Sequence, residues 1–436
     1  MAGPYRAYRA ERIIPLRGEK RAVGAALEAP AKVVRDGVLL TRDGVTEAVE
    51  PYATYRRRGL PGAALVDLGN VCMTPGLVNA HCHLELSWLA GKTRSGGGFA
   101  QWLRSLIASL REPLPDASDA SGVPDGLDTS DTAEEPIGNG IIRDAGRKAL
   151  WDMLDNGMVH VGDVGSRNTR MICEAAGAAR AERGLPYPVT HFLEAFGFGP
   201  PENAGAVPEF VDADGYTPLC AAAVPDYGLE HCAVAGHALY STGPEAMRAA
   251  QQWCARRNKP FSMHLAESEE EEEALYGGTG PLHDIFRTGV LPREWKAPGM
   301  GSVSYADSLG LLTPGTLAVH CVQCSETDIA LLAGRRTAVC LCPRSNTYIG
   351  VGAAPALKMA EAGVLLCVGT DGLSSNHDLD LRMEVIALCD KHGFSPFAAL
   401  RTATVNGAAV FGLHAQGTLE PGRHAAFSLW EPAVFF

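Results

Sequence analysis

From Val71 onward the chain repeats one unit: a short β-branched or apolar run, a few polar residues, then a stretch with apolar residues at helical spacing. Eight such runs follow one another, Cys72–Glu85, Met158–Val164, Pro188–Phe198, Glu230–Thr242, Pro260–Glu267, Thr316–Val322, Thr337–Asn346 and Val364–Gly372. The stretches Pro244–Arg257, Glu326–Leu332 and Ala354–Ala362 typify the helical segments between them. Eight strands alternating with helices predict an α/β fold, a (β/α)8 barrel over residues 71–412. Functional side chains of such a barrel gather at the C-terminal ends of its strands.

The ends of the chain read differently. Val33–Leu40 (VVRDGVLL) has the pattern of strand, turn and strand, Ala64–Asp67 that of a further short strand, and Gly417–Trp430 that of turn and strand. Residues 1–70 and 413–436 are therefore expected to pair into one small β-sandwich beside the barrel. Glu112–Pro136 is rich in Asp, Ser, Pro and Gly and nearly free of large apolar residues. It buries too little to offset its ordering entropy and is expected to be a mobile surface insertion, with a lid over the barrel mouth as the alternative.

Charge and cysteine usage exclude several classes. The net charge is −12, and the only dense basic cluster is Arg56-Arg57-Arg58, which argues against nucleic acid or an anionic membrane as partner. No apolar stretch is long enough to span a bilayer. The twelve cysteines are scattered, Cys340, Cys342 and Cys367 lying within apolar strand-like runs, and the N-terminal MAGPYRAYRAERIIPLRG has no apolar signal segment. Buried free thiols in a cytoplasmic protein are the expectation. Homo-oligomer formation is left open.

His81-Cys82-His83 closes the first barrel run. Alternate residues of a strand share a face, so the two imidazoles point into the barrel mouth while Cys82 points away. A His-x-His pair alone is weak evidence for a metal. Here His264, His320 and Asp371 each follow an apolar run (PFSMH, TLAVH, VLLCVGTD), which sets four histidines and an aspartate at four strand ends of one barrel.

These residues carry a resemblance. Thr74-Pro75-Gly76-Leu77-Val78-Asn79-Ala80-His81-Cys82-His83, His264-Leu265-Ala266-Glu267, Val319-His320-Cys321 and Gly369-Thr370-Asp371 resemble the strand-end motifs of the amidohydrolase superfamily. The branch most similar contains cytosine, guanine, S-adenosylhomocysteine and aminofutalosine deaminases together with triazine hydrolases. The resemblance implies one divalent metal, Zn²⁺ preferred and Fe²⁺ the alternative, on His81, His83, His264 and Asp371. The metal would lower the pKa of bound water from about 16 towards 7 and so supply hydroxide. It further implies that His320 holds the attacking water, that Asp371 takes its proton, and that Glu267 protonates the ring nitrogen and shuttles protons to departing ammonia. Binuclear members commonly bridge two metals with a carboxylated lysine on the fourth strand. This chain has no lysine between Lys148 and Lys259, which favours a single metal, with Glu194 as the carboxylate able to support a second. Glu270 to Glu273 are expected to be a mostly solvated first helical turn, favoured by the helix dipole.

The substrate contacts are read more coarsely. Glu85, Phe99 and Trp102 follow the histidine pair in a pattern similar to aminofutalosine deaminases; the carboxylate suits ribose hydroxyls and the aromatics a purine face, with core packing as the alternative. Arg344, in Pro343-Arg344-Ser345-Asn346 at the seventh strand end, suits a substrate carboxylate such as a benzoate. His237 and Tyr240 are placed to line the pocket, and His377 and Asp378 either orient Asp371 or the substrate, or cap a loop. The expectation is hydrolytic deamination of a purine nucleoside-like small molecule, foremost aminofutalosine of menaquinone biosynthesis. Adenosine, S-adenosylhomocysteine or guanine are alternatives. Other classes are an amide hydrolase or deacetylase, binuclear through Glu194, and a non-catalytic barrel scaffold.

Overall fold

The computed structural model describes residues 3–17, 21–60, 62–112, 138–165, 168–184, 186–198 and 229–436. Beyond Glu112, the insertion expected at 112–136 lies outside the described residues, and with it the alternative of a lid.

The two ends of the chain build one six-stranded sheet, of β1 (Tyr5–Ile13), β2 (Val34–Arg42), β3 (Val45–Pro51), β4 (Ala64–Asp67), β5 (Cys72–Pro75) and the C-terminal strand Phe427–Trp430. β1, β2 and β3 are antiparallel neighbours, β4 and β5 run parallel to β1, and Phe427–Trp430 pairs antiparallel with β5. One face buries Ala10, Ile13, Leu39, Met73 and Leu419. The sheet thus continues past residue 70 to Pro75, and the run Cys72–Glu85 is divided between two sheets. Gly76 is the division. A Cβ there would stand 2.2 Å from Val159 Cγ1, a contact no larger residue tolerates, and the chain turns at that point from one sheet into the other.

The barrel follows, with β6 (Leu77–Cys82), β7 (Met158–Gly165), β8 (Val189–Ala195), β9 (Cys232–Gly236), β10 (Phe261–Leu265), β11 (Thr316–His320), β12 (Ala338–Leu341) and β13 (Leu366–Val368) neighbouring one another in chain order, all parallel. Each strand lies inside one of the eight expected runs except β7, which extends one residue further, to Gly165. Such strands read as near-continuous apolar runs because both faces are covered, the inner by the barrel core and the outer by helices. At the lower end Phe411 packs against His160 and Phe192, with ring centroids 5.0 and 6.0 Å away. Every cysteine among the described residues is a free thiol, and all but Cys324 and Cys389 are buried. No helix among the described residues is long and apolar enough to cross a membrane.

Side chains close the barrel between β13 and β6. Asn79 Nδ2 donates to Thr370 Oγ1 at 2.7 Å, and its Oδ1 accepts from the Thr370 backbone at 3.1 Å. Asp371 N donates to the His81 carbonyl at 3.1 Å. Gly369 permits the approach, since a Cβ there would meet His81 backbone atoms at 2.7 and 2.8 Å. Asn79 is fully buried, so removing it strands polar partners away from water. Asn79→Ala is expected to lower unfolding free energy by about 2–3 kcal/mol in chemical denaturation, each stranded group costing ~1–3 kcal/mol; an unchanged midpoint would remove the seam from the account of stability.

Candidate metal centre and active site

Three strand ends enter the mouth through left-handed backbone at residues other than glycine. Ala266 after β10 has φ 52°, His320 and Cys321 at the end of β11 have 73° and 48°, and Asp371 after β13 has 58°. Each costs on the order of 1–2 kcal/mol, and such strain persists where surrounding contacts over-determine the backbone. The contacts are visible at Glu267. Glu271 accepts from Ala266 N at 3.1 Å and from Glu267 N at 2.8 Å, clamping the turn that places Glu267 in the pocket.

His81, His83 and His264 converge, their ligand nitrogens lying within 4.8 Å of one another. Nε2 of His83 and Nε2 of His264 are 3.3 Å apart, and Asp371 Oδ1 lies 3.4 Å from His81 Nε2 and 3.6 Å from His83 Nε2. His264 Nδ1 faces the His237 carbonyl at 2.9 Å, an acceptor only, so the proton sits on Nδ1 and Nε2 offers a lone pair. His81 is 1% exposed, yet neither ring nitrogen has a hydrogen-bond partner. A tetrahedral ion with bonds of about 2.0–2.1 Å requires donors roughly 3.3–3.4 Å apart. The observed spacings, the lone-pair tautomer and the orphaned imidazole fit a zinc-type divalent cation.

Protonation agrees. Burial lowers His81 to about 4 and holds His264 well below the usual histidine range, so both are neutral near pH 7. Burial by itself raises Asp371, but the adjacent His81, His83 and His320 imidazoles hold it well below the usual carboxylate range. Neutral imidazoles and an ionised carboxylate are the states a cation needs.

Several supports of this centre had no distinct sequence signal. Ser345 and Ser375 hydroxyls both donate to Asp371 Oδ2 at 2.6 Å, leaving Oδ1 turned to the histidines. Asn346 Oδ1 accepts from His320 Nδ1 at 2.9 Å, which leaves the His320 Nε2 lone pair in the mouth, 3.5 Å from Glu267 Oε1. Ser345 and Asn346 stand beside Arg344 in the strand-end motif, and that position was the available clue. Burial, then the nearby Asp371, Glu271 and Glu270, push Glu267 well above the usual carboxylate range, which favours its acid form.

The acidic run departs from its expected solvation. Glu271 is fully buried, Glu270 accepts from Ala100 N at 3.3 Å, and Glu272 takes the backbone and hydroxyl of Ser302; only Glu269 and Glu273 are exposed. The amides to be satisfied belong to the strand-end turn, to helix Phe99–Arg111 and to helix Ser302–Ser308, and one helical turn of glutamates reaches all three.

Other expected contacts sort unevenly. Glu194 ends β8 and groups with His237 and His264 within 4.8 Å, and burial raises it to about 7. His237 lies with its ring centroid 5.1 Å from His264, and its Nδ1 meets Ser241 Oγ at 2.5 Å. Phe99 packs between Trp102 and Tyr240, and Trp102 Nε1 donates to the Ser374 carbonyl at 2.8 Å, on the loop that follows Asp371. Glu85 Oε2 accepts from Asn168 N at 2.6 Å, a loop-anchoring contact. Arg344 corrects its expectation as a free carboxylate clamp: both terminal nitrogens lie 2.7 Å from the Asp378 oxygens, so the fork is already filled. Asp378 is thereby accounted for, His377 packs edge-on against Tyr348, and the role of orienting Asp371 falls to the two serines.

Residues 72–436 match the amidohydrolase family. The chain belongs to that family. Among its relatives, a 5-methylthioadenosine/S-adenosylhomocysteine deaminase of Nitratidesulfovibrio vulgaris is 29% identical over 409 residues, 91% of this chain and 79% of its own length. A 5′-deoxyadenosine deaminase of Methanothrix thermoacetophila is 28% identical over 393 residues, 88% of this chain and 80% of its own. The fold is shared with Helicobacter pylori aminofutalosine deaminase in complex with methylthio-coformycin, at TM-score 0.72 and 20% identity over 98% of this chain and 95% of that one. It is shared also with an adenosine deaminase from Xanthomonas campestris with bound zinc, at TM-score 0.69 and 22% identity over 98% and 84%.

His264→Ala and Asp371→Ala are each expected to bring zinc per chain well below one by atomic absorption. Ser345→Ala keeps the ligands and should weaken zinc by about tenfold, as loss of a ligand's outer partner does. Full zinc loading of Asp371→Ala would place the centre elsewhere.

Proposed function

We propose that this protein is a metal-dependent hydrolytic deaminase acting on the 6-amino group of an adenosine modified at its 5′ position. The observation that carries the reading is Glu267, a buried carboxyl 3.5 Å from His320 at the edge of the metal-ligand cluster, whose acid form burial favours. Hydrolysis at an amidine carbon needs a proton delivered to the ring nitrogen and a proton taken from the attacking water on the same side; Glu267 can do both in turn while His320 holds the water. The adenosine-type deaminase activities of the family relatives support the purine substrate.

When bound, a divalent cation supplies the Lewis acidity that makes water nucleophilic near neutral pH. The protein's own groups do the rest. His320, fixed by Asn346, presents Nε2 to accept a hydrogen bond from the attacking water. Glu267 gives its proton to the ring nitrogen next to the amino-bearing carbon, and as a carboxylate receives a proton from the water. That proton passes to the departing amine, which leaves as ammonia, and the second water proton, released as the new C–O bond becomes a carbonyl, returns to Glu267, so nucleoside plus water yields the oxo nucleoside plus ammonia.

Within this class aminofutalosine is the first substrate to test, on the strength of the Glu85–Trp102 segment. The filled Arg344 fork lends its benzoate no support. A second reading, an amide hydrolase or deacetylase with two metals, is favoured by the Glu194–His237–His264 group. Two zinc ions per chain, falling to one in Glu194→Gln, would support it.

Ammonia release is to be measured with aminofutalosine, methylthioadenosine, S-adenosylhomocysteine, adenosine and guanine. Selective turnover of the 5′-modified adenosines is expected; no reaction from protein holding one metal per chain removes deamination. Glu267→Gln should keep its zinc and lose roughly 10²–10⁴ in kcat. Because the acid form of Glu267 is the active one, kcat/KM should be full below its raised pKa and fall as pH climbs through it. A profile still rising at high pH contradicts the assignment.

A further inference from the structure

The fourth strand end behaves differently. His83, one residue past β6, has φ −121° and ψ 80°, without the left-handed backbone that fixes Ala266, His320 and Asp371. The sheet reaches only as far as Cys82: the β6–β7 ladder shifts register between Asn79 and Cys82 and ends on the pair Cys82–Asp163, one residue short of His83. Yet this segment carries two of the metal ligands. Its support comes from a side chain on the neighbouring strand: Leu84 N, the amide next after His83, donates to Asp163 Oδ1 at 2.9 Å.

Asp163 is fully buried, as is His191, its register partner on β8. Oδ2 of Asp163 and Nδ1 of His191 have no hydrogen-bond partner and stand 3.5 Å from each other. His191 Nε2 lies 2.8 Å from the Tyr187 hydroxyl, and the Tyr187 ring stacks on His231 with centroids 4.1 Å apart. One proton arrangement satisfies the set: Tyr187 O–H donates to Nε2, Nδ1–H points to Oδ2, and Oδ1 receives the Leu84 amide. None of these side chains belongs to the catalytic constellation described above.

We propose that Asp163 is a positioning residue for the metal centre, holding the peptide after His83 so that the His81 and His83 nitrogens meet His264 and Asp371, and that His191 and Tyr187 fix its carboxylate. This rests on the metal site but not on the substrate. A carboxylate is suited to the task because it accepts on both oxygens at once. An asparagine can replace it if His191 reverses its tautomer, with Nδ1 accepting from the amide and Nε2–H donating to Tyr187.

Zinc affinity is to be measured by chelator competition on the full chain, with circular dichroism and melting of the metal-free form recorded alongside. Asp163→Ala should bind zinc about 10–100-fold more weakly, the range typical of removing an outer support of a ligand. Asp163→Asn should recover to within a few-fold of wild type. Asp163→Ser is too short to reach Leu84 N and should match Asp163→Ala, which keeps the question open to refutation if the alanine variant does not fold. Wild-type zinc affinity in folded Asp163→Ala or Asp163→Ser overturns the proposal, as does an Asp163→Asn variant that folds but binds zinc no better than either. Failure of every nucleoside substrate would leave this measurement untouched.

Discussion

Asp371 is held from three sides before any metal is considered. Its amide donates to the His81 carbonyl across the closing seam, its Oδ2 receives hydroxyls from Ser345 and Ser375, and its backbone sits in the left-handed region. Only Oδ1 is left for the imidazoles. The last barrel strand is thereby fastened to the first at the point where the ligand sets meet, so closing the fold and assembling the site are one event. Burial makes the arrangement demanding, since an ionised carboxylate away from water must have each oxygen occupied. The neutral imidazoles around it complete that requirement only in the company of a cation.

The same economy recurs at Glu267. Low-dielectric surroundings and three neighbouring carboxyls favour its acid form, while Glu271 anchors its backbone from one turn later. One acidic residue is thus biased towards its neutral form and another is used for geometry. The difference between them is set by which atoms each can reach, not by residue type.

The barrel and the polar residues that converge at its strand ends were legible in the sequence because both leave short-range marks. A buried parallel strand is a run of apolar residues, and its functional end is the polar residue that breaks the run, as in TLAVH before Cys321 or VLLCVGTD before Gly372. The junction at Gly76 was hidden, because β5 and β6 form one uninterrupted apolar stretch and only the contact with Val159 divides them. Ser345, Ser375 and Asn346 were equally hidden: short polar side chains near a turn are common, and their partners lie on other loops. Arg344 failed for a related reason. A guanidinium beside the mouth looks available until Asp378, 34 positions later, takes both of its arms.

The five consecutive glutamates Glu269–Glu273 look interchangeable on paper, a tract a protein engineer might shorten or neutralise to shift the isoelectric point. In the fold each has an address: Glu270 to Ala100, Glu271 to the turn bearing Glu267, Glu272 to Ser302. Loss or gain of a single codon within the tract would scarcely alter composition and would leave glutamate at 270 to 272, yet it would rotate every residue after the tract, the buried Ala274 and Leu275 included, by about 100° around the helix axis. The length of the tract, ordinarily neutral in a surface repeat, is here part of what seats the helix that carries Glu271.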